Sequence, residues 1–428
     1  MADLRRQILA IALPAIISNI TTPLLAMVDV AIVGHIGSAS YIAAIALGSS
    51  MFNMLYWLFG FLRMGSSGIT AQAYGAGDSH ATSVTLYRAL TVGLIVGLIM
   101  LAFSRLIADV MLRFMDADTD TLPLAREYFL IAIAGAPATL GSFALTGWFL
   151  GMQNSRMTMW TALVTNIVNI AASLILVFGF SFDIKGVAIG SAIAQWTGFI
   201  FALSSALSHY KPVFPGITEL FRLAELRRFF SINADIFLRT LCLVAVTVWF
   251  TRAGSEQGAD ILAANALLLQ LFMFFSYFMD GFAFSGEALA GKFEGGGDKN
   301  ALQLLIKTMI WVAVALAVTF GLIYALFGGD FLSLLTDDTH VLDVCARYRW
   351  WAVAIPLAGT MAFVWDGILI GLTRTRLMLV SMAGAAALFF AVCFISRDTM
   401  GNHGLWLAFV IYLAARGIFE HILYNKTT

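Results

Sequence analysis

Charged residues are scarce in this chain of 428 residues. Asp, Glu, Lys and Arg make up 12% of it, whereas hydrophobic residues make up 60%. A soluble domain carries about a quarter charged residues, so this composition excludes an ordinary globular protein. With a mean hydropathy of +0.88, we expect a polytopic membrane protein. Its net charge of zero gives no indication of a nucleic-acid partner.

Cysteine is also rare, and catalytic or nucleotide-binding motifs are missing. Cys242, Cys345 and Cys393 lie far apart in or beside apolar segments, so they predict neither a disulfide framework nor a metal site. The sequence contains no Walker A motif, no serine or cysteine nucleophile motif and no metal-binding box. We therefore expect neither an enzyme nor an ATP-driven pump, and we expect no cofactor.

Long apolar runs dominate the chain instead. A transmembrane helix needs about 20 predominantly apolar residues, and twelve runs meet that length. None shows the period-two alternation of a barrel strand, so the runs are predicted to be helices. The fold class is therefore an all-α membrane protein. The predicted spans are approximately 8–33, 41–73, 82–106, 124–150, 158–180, 185–207, 229–251, 261–290, 302–328, 347–372, 377–395 and 402–424.

The second half of the chain repeats the first at an offset of 220 positions. The matches include Gly34 with Gly254, Gly75-Ala76-Gly77-Asp78 with Gly295-Gly296-Gly297-Asp298, and Arg156 with Arg376. Six spans in each half return the chain to the same side of the membrane. We therefore predict two six-helix lobes related by a pseudo-two-fold axis along the membrane normal, with a substrate cavity between them.

A polar stretch joins the two halves. Residues 209–228 contain Pro212, Pro215 and four basic residues. The predicted domains are an N-terminal lobe of 1–208, a linker of 209–228 and a C-terminal lobe of 229–428. If the N-terminus is inside, fourteen Lys and Arg lie on its side of the membrane and eight on the other. This bias predicts that both termini and the linker are cytoplasmic.

One carboxylate, Asp29, interrupts the apolar run 8–33. An ionised group in hydrocarbon is costly, so such a residue usually faces a cavity, a partner or a translocation path. Pro14 and Pro23 each remove a backbone hydrogen bond ahead of it and can bend the helix. A carboxyl group shielded from water holds a proton more readily than a wetted one. Asp29 is therefore a candidate for cation coupling. The alternative is a carboxylate satisfied by neighbouring hydroxyls, with no role in transport.

Polar residues on other predicted helices are candidates for the lining of the same cavity. Thr22, Asn169, Ser173 and Ser191 can hydrogen-bond a protonated Asp29. They can also supply neutral oxygens to a sodium ion, which prefers oxygen ligands as calcium and magnesium do.

The second half has no acid at the position that repeats Asp29, because position 249 is a tryptophan. Its charges lie elsewhere. Asp235 and Arg239 are four residues apart and thus neighbours on one helix face. We expect them to form an ion-pair network with Arg63, Asp280 and Glu287 in the cytoplasmic third of the membrane. Such a network locks helices or forms a gate.

Two further charged positions lie in predicted spans of the second half. Asp366 sits near the middle of helix 10 with no charged residue at helical spacing, so it is either a second cation or substrate site or a structural hydrogen-bonding group. Arg416 and Glu420, again four residues apart, are expected to form a structural pair.

Several of these segments carry a family resemblance. The segment Met27–Gly34, with Pro14 before it, resembles the first helix of multidrug and toxic compound extrusion (MATE) transporters, and Gly186–Gln195 resembles their sixth helix. Three further stretches are similar to the DinF branch of that family: Asn233–Thr240, Met279–Ala283 with Glu287, and Trp365–Thr373. The resemblance covers nearly the whole chain.

The resemblance implies a monomeric antiporter of the bacterial inner membrane. Such a protein exports amphipathic, often cationic organic compounds against inward flow of H+ or Na+, and the first-helix aspartate, here Asp29, takes part in coupling. Some relatives carry a second carboxylate where this chain has Ser173. We therefore expect a proton-coupled multidrug antiporter, with Na+ coupling as the nearest alternative. A lipid-linked precursor flippase of the wider superfamily is a second alternative. It is disfavoured because Arg63, Arg239 and Arg416 all have acids nearby.

Overall fold

The computed structural model describes residues 2–34, 39–115 and 121–427, and all regular structure in these ranges is helical. The first half contains α1 (Ala2–Gly34), α2 (Ala39–Leu58), α3 (Phe61–Gly75), α4 (Ser79–Ala102), α5 (Ser104–Met115), α6 (Leu122–Ala132), α7 (Ala136–Gly151), α8 (Ser155–Leu174), α9 (Asp183–Tyr210) and α10 (Ile217–Leu220). The second half contains α11 (Leu223–Ser255), α12 (Ala259–Gly295), α13 (Lys299–Ser333), α14 (Thr339–Gly371), α15 (Thr375–Met400) and α16 (Asn402–Thr427).

These helices confirm the predicted fold class. Eleven helical segments of the described chain are long and apolar enough to cross a bilayer. The remaining predicted span falls on α1, whose 33 residues extend over about 50 Å at the rise of an α-helix. Most helices continue beyond the predicted spans at one or both ends. Apolar runs locate the part of a helix that lies in lipid, whereas the helix itself ends only where a turn or cap stops it.

One such turn occurs once in each half and shows why the two halves fold alike. Gly77 and Gly297 both adopt a φ of 72°, in the left-handed region that glycine enters without a Cβ clash. The next residue caps the following helix: Asp78 accepts a hydrogen bond from the Ala81 N–H at 2.8 Å, and Asp298 accepts one from the Ala301 N–H at 2.9 Å. The repeated Gly-Asp pair thus builds the same helix start twice.

Close helix crossings are repeated as well. A methyl group on Gly147 would lie 2.2 Å from the carbonyl oxygen of Arg63, and one on Gly367 would lie 2.3 Å from that of Ala283. Gly367 and Ala283 lie 220 positions after Gly147 and Arg63, so the same crossing occurs once in each half. Only glycine allows the two backbones to approach this closely. These crossings bring α3 against α7 and α12 against α14.

Residue contacts divide the chain into two compact units. Residues 13–233 form the N-terminal unit, while residues up to 12 and from 234 onward form the C-terminal unit. The predicted linker, 209–228, packs within the N-terminal unit together with the first residues of α11.

Candidate functional site

Asp29 lies on α1 in the N-terminal unit and is 7% exposed. Its Oδ1 has no hydrogen-bond partner among the described residues, and no described Lys or Arg lies within ion-pair distance of it. The neighbouring helix α8 is tied to α1 by Asn166, whose Nδ2 donates to the carbonyl oxygen of Thr21 at 3.4 Å. Buried polar groups are nearly always hydrogen-bonded, so an acid with a free oxygen is a group that can take up a ligand.

Tyr128 on α6 is the residue of this site that the sequence analysis missed. Its side chain is buried, interacts electrostatically with Asp29, and has its hydroxyl within hydrogen-bonding reach of Ser49 and Ser191. A methyl group on Gly48 would lie 2.4 Å from the Tyr128 ring, so the glycine makes room for the ring against α2. The available signal was a tyrosine inside an apolar span, because its hydroxyl needs a polar partner there.

Three of the predicted lining residues belong to the same polar region. Asn169 Nδ2 on α8 donates to Ser191 Oγ on α9 at 3.0 Å. Ser173, one turn beyond Asn169, is fully buried. A methyl group on Gly190 would lie 2.6 Å from Ser173 Oγ, so α9 approaches α8 closely at this point. The side chain of Thr22, the fourth predicted residue, lies outside those that the structure describes.

The site therefore contains several oxygens with no assigned bond. Asn169 Oδ1 and Ser173 Oγ, like Asp29 Oδ1, are buried and lack a hydrogen-bond partner in the described part of the chain. Ser191 connects Asn169 to Tyr128, and Tyr128 adjoins Asp29. We refer to these five residues, Asp29, Tyr128, Asn169, Ser173 and Ser191, as the α1 site. Chemically, it can hold a proton on the carboxyl group, or it can offer carboxylate, amide and hydroxyl oxygens to a hard cation.

The C-terminal unit contains a different kind of polar cluster, centred on Asp366 of α14. Arg239 of α11 and Arg416 of α16 each donate through Nη2 to Asp366 Oδ2, and all three side chains are buried. Glu420, fully buried on α16, interacts electrostatically with both Asp366 and Arg416. The cluster holds two acids and two bases, so its formal charges balance. We call these four residues the Asp366 cluster.

This arrangement corrects the expected pairing along the helices. Asp235 does not pair with Arg239: its carboxylate accepts a hydrogen bond from Thr375 Oγ1 at 3.1 Å and meets Arg376 Nη1 at 3.4 Å. Arg416 donates to Asp366, and its helix neighbour Glu420 interacts with it electrostatically within the same cluster. Spacing of four residues permits a contact on one helix, but a partner on another helix at the same depth competes with it.

The other members of the expected network are distributed over both units. Glu287 is buried on α12, and Asp280 on the same helix interacts with Tyr277. Arg63 lies on α3 in the N-terminal unit, whereas both acids belong to the C-terminal unit. Asp366 has no charged residue at helical spacing on its own helix α14. Its two arginine partners come from other helices.

The fold and these buried polar sites define an integral membrane protein built from two homologous helical halves. The family model MatE matches the chain twice, at residues 14–175 and 234–395. Both ends of the two matches are 220 positions apart. The chain belongs to this family of MATE transporters.

Individual relatives agree with this assignment. The chain is 36% identical over 412 residues to the DNA damage-inducible protein F of Escherichia coli, covering 95% of this chain and 89% of that protein. It is 23% identical to a probable multidrug resistance protein NorM of Photorhabdus laumondii, covering 98% and 94%. The predicted resemblance to the MATE family and its DinF branch is confirmed.

Solved structures share the fold. The Vibrio cholerae MATE transporter VcmN in its bent form superposes with a TM-score of 0.90 at 17% identity, covering 99% of this chain and 97% of that one. A multidrug resistance MATE family transporter in an outward-facing conformation gives 0.85 at 18% identity, covering 99% and 96%.

Proposed function

We propose that the protein is a proton-coupled multidrug antiporter. It exports amphipathic, often cationic organic compounds from the cytoplasm by alternating access, and Asp29 carries the coupling proton. The observation that carries the proposal is the buried Asp29 carboxyl group, which has a free oxygen and no described cation partner. Membership in the MatE family and the multidrug resistance names of relatives support the transport role. We place the protein in the bacterial inner membrane as a monomer with both termini cytoplasmic.

A proton suits this site because it removes the cost of a lone charge in hydrocarbon. Protonation drives a conformational change only if the two conformers differ in proton affinity. Asp29 meets that condition if it is enclosed beside Tyr128 in one conformer and wetted in the other. Protons entering from outside then protonate Asp29, α1 rearranges, the drug leaves, and the proton is released inward.

Sodium is the second candidate, and one observation favours it. Asn169 Oδ1 and Ser173 Oγ are buried oxygens with no assigned hydrogen bond in the described residues, and neutral oxygens beside a carboxylate are suitable ligands for a hard cation. The flippase alternative requires free basic groups for a pyrophosphate. Arg239 and Arg416 instead donate to Asp366, which counts against it.

The test is dye export from proteoliposomes under an imposed pH gradient or an imposed Na+ gradient. We compare wild type with Asp29→Asn, which keeps the shape of the side chain but cannot take up or release the coupling proton. A matched control is Asp260→Asn, an exposed acid in the same chain that pairs with His340 at 3.1 Å. We expect the pH gradient alone to move dye in wild type and in the control, and Asp29→Asn to fall to the rate of empty vesicles.

Dye movement driven by a Na+ gradient without a pH gradient would show that sodium, and not the proton, is the coupling cation. A wild-type rate of dye export by Asp29→Asn would show that Asp29 is not the coupling residue. If neither gradient moves dye in wild-type vesicles that contain folded protein, the antiporter proposal is wrong for this substrate class.

A further inference from the structure

The segment between α9 and α11 exposes large apolar side chains, although its sequence was expected to be a polar linker. The exposed fractions are 69% for Val213, 56% for Phe214, 68% for Ile217, 54% for Phe221 and 81% for Leu223. These five residues lie within eleven positions of one another. Large apolar side chains exposed so close together along the chain indicate a surface that another phase or molecule covers.

The segment is held in a fixed orientation by α4. The buried Arg88 donates from Nε to the carbonyl oxygen of Leu220 and from Nη2 to that of Glu219, both at 3.2 Å. Tyr87 donates its hydroxyl to the carbonyl oxygen of Pro212 at 3.2 Å. One side of the segment is thus bonded to the N-terminal unit. The apolar side chains are presented on its exposed surface by an anchored backbone, not by a free loop.

The charged residues of this region also differ between the side that faces α4 and the exposed side. Four exposed basic residues lie on and beside the segment: Lys211, Arg222, Arg227 and Arg228. Both nearby acids are engaged by α4, since Glu219 Oε1 lies 2.7 Å from His80 Nε2 and Glu225 Oε2 lies 3.8 Å from Arg88 Nη1. Within the described chain, no carboxylate lies at ion-pair distance from the four basic side chains. The exposed surface is therefore apolar and cationic.

The position of the segment in the chain points to the bilayer as its partner. Two helices that are long and apolar enough to span a bilayer, α9 and α11, end at Tyr210 and begin at Leu223. The twelve residues between them connect the two helices on one side of the membrane. An anchored segment of this length stays near the interface. Apolar side chains insert at the boundary of head groups and acyl chains, and clustered Lys and Arg beside a span attract anionic lipid head groups.

We propose that this surface, which we call the linker surface, docks on anionic phospholipids of the leaflet that it faces. It comprises Val213, Phe214, Ile217, Phe221 and Leu223 together with Lys211, Arg222, Arg227 and Arg228. The apolar side chains enter the acyl region, and the four cations contact lipid phosphates. The proposal does not depend on the transported compound or on Asp29. Its test measures where a side chain lies and not whether dye moves.

The first experiment places a spin label at Ile217→Cys in full-length protein whose three native cysteines are replaced by alanine. The protein is reconstituted in vesicles of phosphatidylcholine with or without phosphatidylglycerol, and collisions with lipid-soluble oxygen and a water-soluble nickel complex are measured. A control label at Lys299→Cys marks an exposed helix start in the other unit. We expect the label at 217 to favour oxygen in anionic vesicles and the label at 299 to favour nickel.

A nickel-accessible label at 217 would show that the surface lies in water, and a label shielded from both reagents would show that protein covers it. Either result overturns the proposal.

The second experiment repeats the measurement at 217 after Lys211, Arg222, Arg227 and Arg228 are all changed to glutamine. The control changes four other exposed basic residues, Arg5, Arg156, Lys307 and Lys426, to glutamine.

We expect the first set to abolish the rise in oxygen accessibility with phosphatidylglycerol content, and the control set to preserve it. An equal loss in both sets would mean that net charge, not the linker surface, governs docking. No loss in either set would show that the four cations do not bind anionic lipid, which would overturn that part of the proposal. Misfolded protein is identified by the control label at a second site.

Discussion

The two halves of this chain share their helix crossings but differ at their polar centres. Asp29, Asn169 and Ser173 of the N-terminal unit correspond, at the offset of 220, to Trp249, Phe389 and Cys393. The Trp249 ring packs against Phe390 and Phe394 with centroids 5.7 and 5.6 Å away. Where one half has buried polar atoms with no hydrogen-bond partner among the described residues, the other has an aromatic cluster.

The reverse holds at the Asp366 cluster. Arg239 and Asp366 correspond to Asn19 and Thr146 in the N-terminal unit, so the charges of the cluster have no counterpart there. The difference lies in compensation: Asp366 is neutralised by two arginines, whereas Asp29 has no described cation partner. A compensated charge holds helices together, and an uncompensated one is available to bind a cation. We infer that the duplicated halves have divided these two roles.

The largest expected effect follows from removing the compensated charge. Asp366→Asn leaves two buried arginines, Arg239 and Arg416, with Glu420 as the one acid of the cluster, and breaking a buried ion pair in this way costs about 3–5 kcal/mol. We expect a large fall in the unfolding temperature of purified protein in detergent. In contrast, Asp29→Asn removes a charge that has no described cation partner, so its unfolding temperature should stay the same or rise.

This pair of variants also tests the division of roles. If Asp366→Asn kept the wild-type unfolding temperature but lost dye export, Asp366 would be a functional acid and the comparison would be wrong. If both variants unfolded at much lower temperature, Asp29 would be a structural group as well.

An intermediate effect is expected from moving a carboxylate to the corresponding position of the other half. Trp249→Asp loses two ring contacts, worth about 1–3 kcal/mol together. The new acid would lie beside aromatic rings, without the hydroxyl and amide groups of the α1 site. The double variant Asp29→Asn with Trp249→Asp should therefore remain inactive in the pH-driven dye assay. Recovered export would show that the two halves are interchangeable.

Hydropathy and the internal repeat predicted most of the fold because helices in lipid must be long, apolar and internally hydrogen-bonded. The same reasoning located Asp29, since a charge in an apolar run is conspicuous. It missed Tyr128, because aromatic residues are common in such a run and only the need of its hydroxyl for a polar partner distinguishes this one. It also mispaired Arg239 with Asp235, because spacing reports neighbours on one helix, whereas partners across helices depend on packing that a single sequence does not encode.

The exposed apolar side chains of the linker were missed for a related reason. Prolines and basic residues defined the stretch as polar, and the five large apolar residues were spread among them. Hydrogen bonds from Arg88 and Tyr87 fix the backbone of the segment to α4. Such long-range anchoring leaves no local trace in the linker sequence.

The smallest effect is expected at Ser173, and its size distinguishes the two cations. Ser173 Oγ is fully buried and has no hydrogen-bond partner among the described residues, so Ser173→Ala breaks no identified bond. If a proton on Asp29 drives export, the variant should change the export rate by less than roughly fivefold, which corresponds to about 1 kcal/mol in activation free energy. If sodium is the coupling ion, the variant removes a ligand and raises the Na+ concentration needed for half-maximal export. Cys393→Ala, the matched change in the other half, should leave the cation dependence unaltered. A higher half-maximal Na+ concentration in Ser173→Ala but not in Cys393→Ala would therefore favour sodium, and an unchanged pH-driven rate in both would favour the proton.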